Sequence, residues 1–333
     1  MTLRVIEHRQ LLYIVSMFLI VQFAGLLLAT QVFSGQSFEV LRASQAGTSA
    51  YGVIFYIGFI ILASVLLVLV LRAYKGAWLY RVIDAAVVFL PSLFFFMVVI
   101  AAAYGNAFGA LFGNGPSAGA FAVAAVLSAG LVVAKMRNPG LRNATTMIST
   151  VGVGLVVGAV FSFGFALAFM VVLAVYDFVA VFVTKHMVAL GNVAVEKNLS
   201  LMIMASEIEA VPVRRLGDRE MAEYRKARPE LVSRGGITRR LVRSGMAPLS
   251  SMTALGNGDM AVPLIVAVAA YKIYLSFVLS FVVVLGALLG LAITMYVLRR
   301  YKRPLPAIPF LLAGIGIALG IFIAVNAVTA VFL

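Results

Sequence analysis

No cysteine occurs anywhere in the chain, which excludes disulfides, thiolate nucleophiles and cysteine-built metal sites. Histidine is almost as scarce. His8 stands near the N-terminus and His186 beside Lys185, and two imidazoles so placed do not make a histidine metal centre. Both read as residues at a headgroup boundary. Charge is the third scarcity: 11% of the 333 residues are Asp, Glu, Lys or Arg, against 63% hydrophobic ones, a balance that soluble globular domains do not reach. The chain therefore reads as an all-α, multi-pass integral membrane protein.

Apolar runs of spanning length fall at about 10–32, 51–71, 82–103, 117–134, 144–161, 164–184, 248–271, 273–298 and 306–332. The first lacks the small-residue cleavage site of a secretory leader and reads as a retained span. The fifth and sixth are almost continuous. We divide them at "FSFGF", because 144 to 184 is about twice one crossing at helical rise. Nine transmembrane helices are thus expected, with one long polar stretch, 185–247, between the sixth and seventh. Its charge and scattered Pro and Gly predict a connecting loop with one short helix around 218–228.

The net charge of +14 is placed as membrane topology places it. With the N-terminus cytoplasmic, the inner segments hold Arg4 and Arg9; Arg72, Lys75 and Arg81; Lys135, Arg137 and Arg142; twelve residues of the long loop from Lys185 to Arg243; and Arg299, Arg300, Lys302 and Arg303. Only Arg42 and Lys272 remain outside. This distribution predicts a cytoplasmic N-terminus and an exterior C-terminus, and it accounts for the basic residues without a nucleic-acid partner.

Of the twelve acidic residues, only Asp84, Asp177 and Asp259 fall within expected spans. Asp84 lies three residues past Arg81, at the expected start of the third span, where the helix dipole tolerates an anion. Asp177 in "VVLAVYDFVAVFV" and Asp259 in "ALGNGDMAVPLI" have no such position. A charge in hydrocarbon costs roughly 2.5–3.5 kcal/mol even on insertion scales, so each is expected to have a task and a partner. Their depths agree. Asp177 precedes Lys185 by eight residues, about 12 Å of helix, and Asp259 precedes the outer Lys272 by thirteen, about 20 Å, in a core about 30 Å thick. Antiparallel neighbours would then bring the carboxylates together, and such a pair shares one proton. That pattern suits a hydrolase in which one carboxylate activates water and the other protonates a peptide carbonyl. It suits a proton-coupled transporter or channel equally well, and a purely structural packing role also stays open.

Two further patterns flank these residues. Gly256 and Gly258 leave no side chain beside Asp259, so a backbone or partner helix can come close. Pro304, Pro306 and Pro309 in "RRYKRPLPAIPFLLAG" keep the entry to the last span from starting as a regular helix, and irregular backbone at membrane depth needs protein or a wet cavity beside it.

Tyr176-Asp177, Gly256-Asn257-Gly258-Asp259 and Pro306-Ala307-Ile308, in this order and on the sixth, seventh and ninth spans, resemble the YD, GxGD and PAL motifs of the presenilin and signal peptide peptidase family of intramembrane aspartyl proteases. The likeness covers essentially the whole chain, although Ile308 stands where the family usually has Leu, and the compact length resembles an archaeal presenilin homologue. The resemblance implies Asp177 and Asp259 as catalytic residues, a water nucleophile, no metal or other cofactor, and membrane-protein substrates cut within a locally unwound transmembrane helix. It assigns site-shaping roles to Tyr176, Gly256 and Gly258, and substrate positioning to Pro306, Ala307 and Ile308. The chain then divides into 1–184, with spans 1–6 and YD; 185–247, a cytoplasmic polar loop; and 248–333, with spans 7–9, GxGD and the PAL-like motif. Around "LMIMASEIEAVPV" the loop would offer a strand to pair with substrate. The pairs Gly154/Gly158, Gly286/Gly290 and Gly316/Gly320 read as close helix contacts, or as contacts between copies in a homo-oligomer. A proton-coupled transporter or channel using the same aspartates is the alternative function. A non-enzymatic scaffold is a third.

Overall fold

The structure, a computed structural model, describes residues 2–34, 77–112, 118–183, 199–215, 221, 222, 224, 225, 244, 246–301 and 305–332. The expected span at 51–71, together with Arg42, Lys185, His186 and Pro304, lies outside them. Eight α-helices are present among the described residues: α1 Thr2–Ser34, α2 Ala77–Phe112, α3 Ala118–Arg137, α4 Arg142–Val160, α5 Phe163–Phe178, α6 Asn257–Tyr274, α7 Phe277–Tyr301 and α8 Ile308–Phe332. A π-helical turn, Val179–Val183, continues α5. Seven of the helices are long and apolar enough to cross a membrane. The exception is α6, whose apolar stretch is diluted by Asn257 and Asp259 at one end and Lys272 at the other.

The expected break at "FSFGF" is real. Helix α4 ends at Val160, Phe161 is extended, and Ser162 caps α5 by accepting a hydrogen bond from the Phe165 amide at 3.3 Å. Phe161 stacks edge-on against Phe165 and Phe169, with ring centroids 4.3 and 5.4 Å away.

The seventh span does not begin at 248, as its hydropathy suggested. Residues Met246–Gly256 form a strand, β2, hydrogen-bonded to β1, Met202–Pro212, and the helix starts only at Asn257. Pro248, Ser250, Ser251 and Thr253 are poor helix formers, and a paired strand satisfies their backbone instead. β1 lies where the sequence placed a strand.

The chain divides into two compact units. The smaller comprises Met1–Ile14 and Met204–Ala254 and contains most of the β1–β2 sheet, with the Thr253 hydroxyl donating to Gln10 Oε1 at 2.9 Å.

In the larger unit, Val15–Ile203 with Leu255–Leu333, α6 is the central helix. Every residue from Met260 to Tyr271 is buried, as expected for a helix that is apolar all round. Gly154 and Gly158 of α4 leave room for Leu264 and Val268. Ser280 of α7 donates to the Ala267 carbonyl at 2.8 Å, and Gln22 of α1 donates to the Met260 carbonyl at 2.9 Å. At the far end Lys272 donates to the Ala159 carbonyl at 2.9 Å, placing a cation at the C-terminus of α4. The turn into α7 passes through Leu275 in the left-handed region, φ 49°, with its amide returned to the Tyr271 carbonyl.

Helices α7 and α8 meet backbone to backbone at Gly286, Gly290 and Gly314. The two glycine pairs of α4 and α7 are thus helix contacts. The third is not: a Cβ at Gly316 or Gly320 would meet nothing within 4 Å among the described residues.

Candidate active site

Asp177 lies in the last turn of α5, buried, two residues before the π-helical turn begins at Val179. Its partner comes from another helix. Helix α8 starts at Ile308, and the Ala307 carbonyl accepts from the amides of Phe310 and Leu311, both at 3.1 Å. The first amides of a helix have no partner within it. Asp177 Oδ2 accepts the Ile308 amide at 3.3 Å, and the Ala307 amide is also within its reach. Pro309, in the first turn, has no amide to leave unsatisfied. The irregular stretch Leu305–Ala307 therefore has a definite result: it turns the positive end of α8 toward the Asp177 carboxylate. Pro306, Ala307 and Ile308 are all buried, whereas Tyr176 is half-buried on the neighbouring face of α5.

Asp259 is held at a helix N-terminus too, but at its own. It occupies the first turn of α6, and its Oδ2 accepts the Gly256 amide at 3.2 Å, the reach-back half of a capping box. This corrects the sequence expectation of a carboxylate in the middle of a span. A Cβ on Gly256 would stand 3.1 Å from Oδ2, tighter than ordinary contact, so glycine here permits the close approach of the carboxylate. Gly258 is exposed, and a Cβ there would meet nothing within 4 Å. Four residues beyond Asp259, Pro263 offers no amide to the Asp259 carbonyl, so the ladder of α6 lacks that bond.

Helix α5 packs directly on α6, and α8 packs on both. The helices that carry the three motifs thus pack on one another, with the Ile308 amide on Asp177 and open space at Gly258. Such an arrangement can hold one proton between two acids and leave the other acid free to receive one. Among the described residues no group of three or more His, Cys, Asp or Glu side chains could hold a metal ion.

Asp84 departs from its expected place. Because α2 begins at Ala77, Asp84 is two turns inside the helix rather than in its first turn, and it forms an ion pair with Lys135 of α3. The adjoining polar contacts of Ser200 and Asn257 were not read from the sequence at all. The local signal that existed was Lys135 itself, a basic residue in the last turn of an apolar helix.

Two solved structures, each of a presenilin family intramembrane aspartate protease, in space groups C222 and P2, resemble this fold. The first is 18% identical with a TM-score of 0.58, covering 95% of this chain and 99% of that one. The second is 19% identical with a TM-score of 0.59, covering 95% and 98%. No curated protein matches. A family model described as signal-peptide peptidase, presenilin aspartyl protease matches residues 15–330. By that match over nearly its whole length, the chain belongs to the signal-peptide peptidase and presenilin aspartyl protease family, and it is a multi-pass membrane protein and an aspartic endopeptidase.

Proposed function

We propose that Asp177 and Asp259 are the catalytic pair and that the enzyme hydrolyses peptide bonds within transmembrane helices of membrane-protein substrates. The observation that carries this reading is that the two carboxylates cap the N-termini of two helices packed on one another, Asp177 that of α8 and Asp259 that of α6. One acid, ionised, takes a proton from water as the oxygen attacks the scissile carbonyl carbon. The other, protonated, gives its proton to the carbonyl oxygen. The resulting tetrahedral diol collapses as the amide nitrogen leaves with a proton, and the pair returns to its singly protonated state. Either aspartate can begin in either role, because the pair titrates as a unit.

Water attack needs an accessible carbonyl, so the substrate helix must unwind locally. Gly258 leaves space for an extended segment beside Asp259, and the two-stranded β1–β2 sheet is a framework to which a substrate strand could add. Pro306, Ala307 and Ile308 act by holding Asp177 and shaping the wall against which substrate lies. Tyr176 and Gly256 set the space around the carboxylates.

The same reading includes nine spans, a cytoplasmic N-terminus and an exterior C-terminus, supported by the distribution of basic residues. The paired carboxylates alone would serve a proton-coupled transporter, but membership of a protease family favours hydrolysis.

The test is cleavage of a synthetic transmembrane peptide by the purified protein in lipid, with product masses locating the cut. Two new termini inside the apolar segment, a bell-shaped dependence of rate on pH and inhibition by a hydroxyl-bearing transition-state mimic are expected. A folded protein that leaves the peptide intact while moving protons across the vesicle would overturn the proposal.

A further inference from the structure

Asp84 is far from both aspartates in sequence and belongs to none of the three motifs. Its side chain is 12% exposed and that of its partner Lys135 5%. An exposed ion pair contributes little, whereas one withdrawn from water loses hydration that further hydrogen bonds must replace. Arg142, buried at the start of α4, adds positive charge nearby. The remaining oxygen of Asp84 goes elsewhere. While Oδ2 takes Lys135, Oδ1 accepts the main-chain amide of Ser200 at 2.6 Å.

Ser200 is where the chain turns into β1, and it is bound on its other side as well. The Ser200 carbonyl accepts Asn257 Nδ2 at 2.7 Å, and the neighbouring Leu201 carbonyl accepts the Asn257 main-chain amide at 3.1 Å. Asn257 is the first residue of α6, set between Gly256 and Gly258 and two residues before Asp259. Two glycines give this stretch great backbone freedom, and α6 loses a further restraint at Pro263. Asn257 is therefore fixed from outside the helix by two bonds to one short turn. That turn is fixed in turn by Asp84.

We propose that Asp84 is a positioning residue for Asp259, acting through the Ser200–Leu201 turn and Asn257 to hold the first turn of α6 in register with Asp177. The proposal rests on Asp259 being catalytic, as argued above. It makes the α2–α3 pair part of the enzyme's machinery rather than a mere fastening of two helices.

The experiment measures kcat and KM on one transmembrane peptide, with thermal melts, for the parent, Asp84→Ala, Asp84→Asn, Asn257→Ala, Asp84→Ala/Asn257→Ala and Asp259→Asn. A displacement of the acid by a fraction of an ångström should lower kcat about tenfold or more in Asp84→Ala and Asn257→Ala while KM changes less than about twofold. Asp84→Asn keeps an oxygen for the Ser200 amide and should recover most of the lost kcat, although it loses the charge that Lys135 needs. The double variant should be no slower than the slower single, since both act on one chain of bonds. Parent kcat in folded Asn257→Ala, equal loss in Asp84→Asn and Asp84→Ala, or multiplied losses in the double variant would each overturn the link. Should Asp84→Ala not fold, Asn257→Ala and Asp84→Asn still decide the question. Undiminished cleavage by Asp259→Asn would instead remove the catalytic assignment on which the link depends.

Discussion

Helices α6 and α8 both start at an aspartate carboxylate, and they obtain it by different routes. Helix α6 carries its own acid: Asp259 sits in the first turn and reaches back to the Gly256 amide, three residues away. Helix α8 borrows Asp177 from α5, across 131 positions of sequence. The helices differ in surroundings as well. Helix α6 is enclosed along nearly its whole length, while α8 is buried at its first turns and exposed from Gly316 onward at positions such as Ile317, Ile321 and Ile323. A local hydrogen bond survives so long as one short segment keeps its shape. A borrowed one requires α5, α8 and the irregular Leu305–Ala307 stretch to stay in register. The two acids of the proposed site should therefore respond to different kinds of damage.

The largest effect should erase the comparison altogether. Asn is close in shape to Asp and cannot pass the proton, so Asp177→Asn and Asp259→Asn should each reduce peptide cleavage by at least about 10³-fold, and the double variant should lose no further activity. Relief of repulsion between two carboxylates withdrawn from bulk water should leave the melting temperatures at or above the parent's. Cleavage assays and melts on the same four samples check this; substantial activity in either folded single variant would remove that residue from the catalytic pair.

A smaller effect should strike only the borrowed acid. Proline is acceptable at the first position of a helix and has no amide, so Ile308→Pro deletes the donor to Asp177 while sparing α8. A loss of about ten- to a hundredfold in kcat is expected, whereas Ile308→Leu, which keeps volume and apolarity, should stay near the parent. Pro306→Ala, which loosens the same stretch without removing the amide, should fall between them. Equal rates for all three would detach this segment from Asp177.

Damage to the local bond should be milder again. Gly256→Ala places a methyl group about 3.1 Å from Asp259 Oδ2, and the carboxylate need shift only by tenths of an ångström to admit it, so a several-fold loss in kcat is expected. Rates at or above the parent's would show that the close approach is unnecessary.

Least of all should happen on the exposed flank of α8. Gly316→Ala meets open space, and both its cleavage rate and its melting temperature should match the parent's within error. Gly158→Ala provides the contrast: its Cβ would stand 2.7 Å from Val268 Cβ, an overpacking that costs typically 1–3 kcal/mol. A similar melting temperature for both would mean that α4 and α6 are not packed as described.

What could be read from the sequence followed from features that are local or periodic. The division of α4 from α5 was legible because a serine flanked by phenylalanines interrupts a run too long for one crossing. The packing of α5 on α6, the helices that carry Asp177 and Asp259, agrees with the common depth that helical rise gave the two acids. The β2 strand was not, since "MAPLSSMTALG" runs into α6 without a break in hydropathy, and a short apolar run does not reveal whether it will coil or extend. Asp84 was misplaced for a related reason: the apolar window opened at 82, but the helix had begun five residues earlier, at Ala77. Its bond to Ser200, 116 positions away, is a matter of tertiary geometry that no window contains.

The enclosure of α6 also bears on how the protein is made. Each inserted helix is first tested against lipid, and a segment of eighteen residues with an aspartate near one end and a lysine near the other partitions poorly, at roughly 2.5–3.5 kcal/mol for a centrally placed charge and less toward the ends. In the finished molecule α6 hardly needs that test, because its surroundings are α1, α4, α5, α7 and α8. Three of those five helices, α1, α4 and α5, precede it in the chain, and two, α7 and α8, are synthesised afterwards. Biogenesis must therefore keep α6 waiting, half-committed to the bilayer, until later helices close around it. A 257–274 segment tested alone in a membrane-insertion assay should insert less completely than the same segment followed by α7 and α8, so that the helix bearing Asp259 enters the bilayer fully only in company.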